Sequence, residues 1–303
     1  MPKLIVLSGL PGSGKSTYAE KLKEKGYIVH SSDKIREELG DVNDQSKNND
    51  VFVILHKRIK EDLKNDKNVC MDCTNLSRKR RVAFLRELKN TPCEKECVLI
   101  ATPYEMCMAQ NIKRERKVPF DVIFNMLKSF NMPSIYEGFD SVKVYYPDTM
   151  WQSYYGNVYR FLNNHFEYDQ SNSHHNLTLS RHLLKAYYYV CKTENELNDL
   201  CIAALMHDIG KPWTRSFEDR HGNIDTDAHY YSHHNVGAYI NLFIDQVGFA
   251  YDKQYVSLLI EHHMKPYMEW KQSEKTKEKD RKLFGDQFIK DVELLHEADV
   301  YAK

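Results

Sequence analysis

An excess of charge of either sign is missing: 43 Lys+Arg balance 43 Asp+Glu in 303 residues. A bulk polycation that grips nucleic acid by net charge is therefore excluded, and any site for a polyanion must be local. Long apolar runs are missing too. The longest, such as residues 4–7 and 201–206, fall far below the roughly 20 residues of a membrane helix, so no membrane association is expected. Glycine (12) and proline (9) are too few for a fibrous or low-complexity chain. The seven cysteines form an odd, scattered set and no long apolar leader opens the chain, which together predict a cytoplasmic, reducing setting without disulfides. A chain of 303 residues suggests two domains of roughly 150 each.

Two uneven distributions place the boundary. Residues 1–150 carry 26 Lys+Arg and 21 Asp+Glu, a net of +5, whereas residues 151–303 carry 17 and 22, a net of −5. Only His30 and His56 lie in the first half, and the other 12 of 14 histidines lie in the second. Imidazole is the commonest metal ligand and a common acid or base, so metal or proton-transfer chemistry is expected in the second half. In the first half, apolar runs at 3–7, 27–30, 68–71, 96–101 and 142–146 alternate with amphipathic segments near 15–25, 49–64, 78–90, 104–115 and 119–130, the pattern of a parallel α/β sheet flanked by helices. The second half reads as all-α, with segments near 151–165, 177–192, 194–207, 232–247, 253–263 and 286–301 interrupted by a polar stretch at 211–230. The Lys/Glu-rich stretch 271–282 reads as a solvated loop or helix end.

The first strand runs into Gly9-Leu-Pro-Gly12-Ser13-Gly14-Lys15-Ser16-Thr17, a complete G-x-x-x-x-G-K-S phosphate loop between a strand and a helix. Its glycines let backbone N–H groups surround phosphate oxygens, with the helix N-terminus adding its positive end. Lys15 is expected on the β- and γ-phosphates of ATP, and the Ser16 hydroxyl on Mg²⁺. The same loop serves motors and switches, so a kinase also needs an acceptor site. After the second strand, Asp33 and Arg36 share one face of a helix's opening turn. Read alone they are an N-cap and a solvated cation. Beside a phosphate loop they become a base for a hydroxyl and a holder for a nearby phosphate. Asp72 ends the third strand, where ligand crevices of parallel sheets lie, ahead of the basic run 78–81. A second basic run, 113–117, stops at Pro119 and has the character of a mobile lid that carries an arginine to the transferring phosphate. Either basic run taken by itself reads as a solvated helix face.

Through GLPGSGKST, SDKIR at 32–36, DCTNLSRKRR at 72–81 and NIKRERKVPFDV at 111–122, residues 1–146 resemble the 5′-kinase domain of bacteriophage RNA-repair polynucleotide kinases. The resemblance implies ATP-dependent phosphorylation of a polynucleotide 5′-hydroxyl. It implies Asp33 as general base, Arg36 on the acceptor phosphate, Asp72 as an essential carboxylate and Arg114 as the lid arginine. The phage enzymes read Asp-Thr-Asn where this chain has Asp-Cys-Thr-Asn.

In the second half, the apolar helix 200–206 leads into His207-Asp208-Ile-Gly210-Lys211-Pro212, with His182 in an earlier helical pattern and Asp299 in the last. Mixed nitrogen and oxygen ligands of this kind suit Mn²⁺, Fe, Ni²⁺, Co²⁺ or Zn²⁺ better than an oxygen-preferring ion. Through YDQSNSHHNLTLSRHLL, ALMHDIGKP, YYSHHNVGA and LLIEHHM, residues 168–303 resemble HD-superfamily metal-dependent phosphohydrolases, in particular those attached to CCA-adding nucleotidyltransferases. The resemblance implies His182, His207, Asp208 and Asp299 as metal ligands, His233 and His263 as second-metal or phosphate contacts, and Lys211 as a substrate-phosphate lysine. His165, His174, His221, His229, His234, His262 and His296 are read as surface or hydrogen-bonded, and His175 is left evenly balanced. A zinc site at Cys70, Cys73, Cys93 and Cys97 is disfavoured, since Cys70 falls in a core strand.

The expected architecture is an α/β P-loop kinase domain at 1–150 followed by an all-α HD domain at 151–303. The expected function is a bifunctional end-healing enzyme, a 5′-OH polynucleotide kinase with a 3′ or 2′,3′-cyclic phosphatase, acting on nucleic acid, RNA in the first place, and linked to an RNA ligase. Two other classes fit the same motifs: a small-molecule or nucleoside kinase fused to an HD nucleotide phosphohydrolase, and a nucleotide-gated RNA-binding regulator.

Overall fold

The computed structural model describes residues 1–40, 46–173, 176–245 and 250–303. The chain divides into two compact units, one of residues 1–126 and 133–149, the other of residues 127–132 and 150–303.

Unit one follows a strand–helix alternation: β1 (Lys3–Ser8), α1 (Lys15–Glu24), β2 (Ile28–Ser31), α2 (Ser32–Glu38), α3 (Asn48–Lys64), β3 (Val69–Asp72), α4 (Arg78–Glu87), β4 (Glu94–Ile100), α5 (Tyr104–Ile112), α6 (Phe120–Lys128) and β5 (Ser141–Tyr145). The strands pair in parallel in the order β2-β3-β1-β4-β5. Side chains of β1 alternate between the two covered faces, Leu4 and Val6 joining one apolar cluster and Ile5 and Leu7 the other. Both faces are buried, so the strands read in sequence as unbroken apolar runs. Helix α3 covers one face through Val51, Leu55, Ile59 and Leu63, spaced by four and all buried. Ser31 of β2 lies in register with Asp72 of β3, and this brings the chain entering α2 beside the end of β3.

Unit two is helical, as its periodicity predicts: α7 (Val158–Asn164), α8 (Leu179–Glu194), α9 (Asp199–Met206), α10 (Lys211–Thr214), α11 (His233–Asn241), α12 (Lys253–His262), α13 (Glu274–Phe284) and α14 (Asp286–Tyr301). The hub is α9, whose buried Leu200, Cys201, Ala203, Ala204 and Met206 pack among α8, α12 and α14. An Asn198 side chain caps its start by accepting from the Cys201 N–H. The polar stretch at 211–230 holds an antiparallel hairpin, β6 (Arg215–Glu218) with β7 (Ile224–Tyr230), an addition to the all-helical expectation. The charged stretch at 271–282 is mostly α13, anchored by Asp280, which accepts from the Trp270 indole at 2.9 Å. Among the described residues no helix is long and apolar enough to cross a membrane.

Candidate active sites

Where β1 meets α1, Gly12 (φ +81°) and Gly14 (φ +92°) adopt left-handed backbone, and a Cβ on Gly12 would stand 2.3 Å from the Cys107 carbonyl oxygen. Glycine is therefore required for the loop to close over itself. The first turn of α1 holds no acidic residue, which leaves its positive end open to an anion. Lys15 Nζ donates to the Leu10 carbonyl at 2.7 Å and to Ser13 Oγ at 3.4 Å, while Ser16 Oγ donates to Asp72 Oδ2 at 3.0 Å. Thr17 follows on the exposed side of the helix. Burial pushes the Lys15 ammonium below its ordinary pKa, against the pull of Asp72. Burial raises Asp72 in turn, against Lys15 and the Ser16 hydroxyl. A hydroxyl and a carboxylate in contact beside a buried lysine form the donor set that a Mg²⁺-nucleotide fits.

The acceptor side lies on the first turn of α2. Arg36 Nη1 donates to Asp33 Oδ1 at 2.9 Å, and its Nη2 donates to Asn48 Oδ1 at 2.7 Å. Arg116 Nη1 reaches the same Asp33 oxygen at 2.7 Å. Arg114 acts electrostatically on Lys15 and Asp72, as Asp33 does. Of the basic run at 78–81, Arg81 is no solvated cation: it is buried and grips both oxygens of Glu137 at 2.6 Å. Sequence reasoning missed Arg116 and Asn48. Arg116 is one cation among four in its run, and Asn48 stands 12 residues from Arg36.

In unit two, five elements converge. His182 comes from α8, His207 and Asp208 follow α9, His233 opens α11, His263 follows α12 and Asp299 lies on α14. All six are buried. Each histidine commits Nδ1 to a backbone carbonyl: His182 to Ala302 (3.3 Å), His207 to Ala204 (2.8 Å), His233 to Tyr230 (2.7 Å) and His263 to Ile260 (2.7 Å). A carbonyl only accepts, so Nδ1 carries the proton and Nε2 turns its lone pair inward. The inward nitrogens nearly touch, His182 to His207 at 3.0 Å and His233 to His263 at 3.1 Å. Facing nitrogens at such distances either share a proton, as the raised pKa of His182 allows, or ligate a common cation.

Asp208 divides the cluster in two. Its Oδ2 faces His182 (3.3 Å) and His207 (3.5 Å), and its Oδ1 faces His233 (3.1 Å) and His263 (3.7 Å). Asp299 Oδ1 joins the first group, 3.3 Å from His182 and 3.7 Å from His207. Two sets of mutually close ligand atoms result, His182–His207–Asp208 and Asp208–His233–His263, a donor set that fits divalent transition ions. Burial works against charge on His182, but Asp208 and Asp299 outweigh it and push the imidazole up to about 9. Burial, with the His233 and His207 rings, holds His263 well below its ordinary value. Asp208 lies well below the carboxylate range because Lys211 and the histidines overcome its burial. Lys211 Nζ bridges Asp208 Oδ2 and Gln170 Oε1, each at 2.6 Å. Gln170 carries no sequence signal, being 41 residues from the lysine that it holds.

Among the remaining histidines, His262 is packed between Phe284 and Phe288, His229 pairs with Asp225, and His174 and His175 lie outside the described residues. Cys70, Cys73, Cys93 and Cys97 are free and buried, and burial pushes the Cys73 and Cys97 thiols up to about 12, which makes them inert core residues.

Residues 4–133 match the AAA domain family and residues 178–303 the HD domain family. The chain is 32% identical over 136 residues to an L-seryl-tRNA(Sec) kinase of Methanococcus maripaludis, covering 43% of this chain and 53% of that one. It is 28% identical over 151 residues to a bifunctional polynucleotide phosphatase/kinase of Schizosaccharomyces pombe, covering 46% and 33%. It thus spans about half or less of the curated relatives that it matches. Among solved structures, the Pnkp1/Rnl/Hen1 RNA repair complex aligns at 23% identity and a TM-score of 0.36, over 41% of this chain and 42% of that one. A gluconokinase of Sinorhizobium meliloti aligns at 19% and 0.35, over 48% and 82%. The chain thus joins a P-loop domain that matches the AAA family to a domain that matches the HD family in one polypeptide.

Proposed function

We propose that this protein heals nucleic-acid ends, as an ATP-dependent 5′-hydroxyl polynucleotide kinase in its first unit and a metal-dependent phosphatase of 3′ or 2′,3′-cyclic ends in its second, with RNA as substrate. The supporting observation is Asp33, a carboxylate braced by two arginines whose charge is felt at Lys15 and Asp72. A phosphate loop alone binds nucleotide, whereas a braced carboxylate beside it is what a hydroxyl acceptor requires. The relatives lend weight, one being named for a kinase of L-seryl-tRNA(Sec) and the other for a bifunctional polynucleotide phosphatase/kinase.

In the kinase unit, ATP with Mg²⁺ supplies the phosphoryl group. The backbone of residues 9–16 cradles its oxygens, Lys15 exchanges the Leu10 carbonyl for phosphate, and Ser16 with Asp72 holds the metal. Asp33 takes the proton of the attacking hydroxyl, Arg36 holds the acceptor and Arg114 offsets charge on the group in transit. In the HD unit, a divalent ion supplies Lewis-acid activation of water and phosphate. His182, His207, Asp208 and Asp299 would hold such an ion, His233 and His263 would hold a second ion or phosphate, and Lys211 would bind a phosphate oxygen. The products, a 5′-phosphate and a free 3′ end, are the substrates of a ligase, the partner this reading implies.

Radiolabel from ATP should reach 5′-OH oligonucleotides and vanish in Lys15→Ala and Asp33→Ala; labelling that survives both removes the kinase assignment. Asp208→Ala should abolish Mn²⁺- or Ni²⁺-dependent phosphate release while kinase activity persists. An Asp208→Ala protein that still releases phosphate defeats the second half of the reading.

A further inference from the structure

The segment between α5 and α6 reads in sequence as a mobile lid, but its two ends are tied together. Asn111, buried, donates from Nδ2 to the Val118 carbonyl at 2.8 Å and accepts the Val118 N–H on Oδ1 at 3.0 Å. One side-chain amide thereby closes residues 112–117 into a pinned loop, as a strand partner would. Arginines two apart on this loop serve different neighbours. Arg114 acts on Lys15 and Asp72 at the phosphate end, and Arg116 contacts Asp33 at the acceptor end.

Both Arg116 and Arg36 take the same oxygen, Oδ1, at 2.7 and 2.9 Å. Arg36 is itself fixed by Asn48 at 2.7 Å. Two guanidinium groups on one oxygen, one from a helix turn and one from a pinned loop, fix the plane of the carboxylate. We infer that Arg116 is a positioning residue of the kinase site: it shares Asp33 Oδ1 with Arg36 so that Oδ2 is presented to the incoming hydroxyl. Arg116 does not itself receive the proton or bind ATP. The inference rests on the kinase reading above and adds to it a residue which neither motif nor resemblance marks.

The test separates orientation from binding. A carboxylate free to turn is held in attack geometry for only part of the time, and misplacements of this order cost roughly a hundredfold in rate. Arg116→Ala should therefore lower kcat for transfer to a 5′-OH oligonucleotide by roughly ten- to a hundredfold, while KM for ATP stays within about twofold. Arg116→Lys should recover only part of kcat, because an ammonium is a point charge without the planar fork that fixes a carboxylate. The unchanged KM for ATP doubles as the check that the variant is folded. Wild-type kcat in Arg116→Ala, or full recovery in Arg116→Lys, overturns the inference while leaving the kinase reading intact. A parent protein that labels no 5′-OH end overturns both together.

Discussion

Arg81 belongs to a run of four cations, residues 78–81, yet its side chain is fully enclosed. Its Nε and Nη2 grip the two Glu137 oxygens, and its Nη1 donates to the carbonyls of Asn75 (2.8 Å) and Leu76 (2.9 Å). Asn75 in turn donates to the Leu7 carbonyl at 2.8 Å, so the buried pair braces the loop after β3 against the strand that feeds the phosphate loop. Breaking such a pair leaves an uncompensated charge inside. Glu137→Ala should destabilise the kinase unit by about 3–5 kcal/mol, whereas replacing both partners with apolar residues, Arg81→Met with Glu137→Leu, should restore only part of the loss, because the Asn75 and Leu76 carbonyls then lack their donor. Denaturant titration of the parent and the two variants decides it, and a Glu137→Ala protein as stable as its parent would mean that water reaches Arg81. The sequence concealed this pair because its partners stand 56 residues apart and a charge run carries no sign of which member turns inward. Lys15, Ser16 and Asp72, by contrast, were legible: a phosphate loop fixes its own geometry locally, and the end of a parallel strand is a known crevice.

At the scale of elements, Gly210 governs how two helices of the HD unit meet. A Cβ there would stand 2.1 Å from the His233 carbonyl oxygen and 2.6 Å from the Gly237 nitrogen, so the start of α10 rests directly on the backbone of α11. Asp208 and Lys211 flank Gly210 on one side of this contact, and His233 lies on the other. Gly210→Ala must therefore push His233 away from Asp208 Oδ1, now 3.1 Å distant. Mn²⁺ affinity measured by calorimetry should fall by about 10- to 100-fold, the range seen when ligands lose their orienting support. Unchanged affinity would show that the helices separate without disturbing the cage. In sequence this glycine suggests the end of the apolar helix, whereas α9 ends at Met206 and Gly210 caps the start of α10; its close approach depends on the course of α11 and cannot be read from spacing. The strands of the sheet were legible because doubly covered strands are continuous apolar runs. Hairpin β6–β7 was not, since Ile-Asp-Thr-Asp-Ala-His-Tyr is half exposed and mixes polar and apolar residues without a clean alternation. The charged helix α13 escaped for a similar reason: it is held by polar contacts such as Trp270–Asp280 and by Phe284 at its end, not by an apolar stripe along its length.

For the whole molecule, neutrality conceals a division, +5 in residues 1–150 and −5 in residues 151–303. The two candidate sites should consequently differ in their response to salt. A polynucleotide acceptor sheds counterions as its phosphates meet the cations of the kinase unit, Arg36 at the site and others of the surplus beyond it. For three phosphate contacts on a single strand, the slope of log affinity against log salt is about −2, so raising salt from 50 to 200 mM should weaken oligonucleotide binding roughly ten- to twentyfold. The HD cage works through buried ligands, where screening is slight. Hydrolysis of a small phosphate ester should then change little over the same interval. Fluorescence anisotropy with a labelled 5′-OH oligonucleotide measures the first quantity, and phosphate release with Mn²⁺ measures the second. If oligonucleotide affinity is flat with salt, the acceptor is not a polyelectrolyte. The same phosphate loop and braced carboxylate would then serve a small hydroxyl substrate, and the kinase would be one of nucleosides or metabolites.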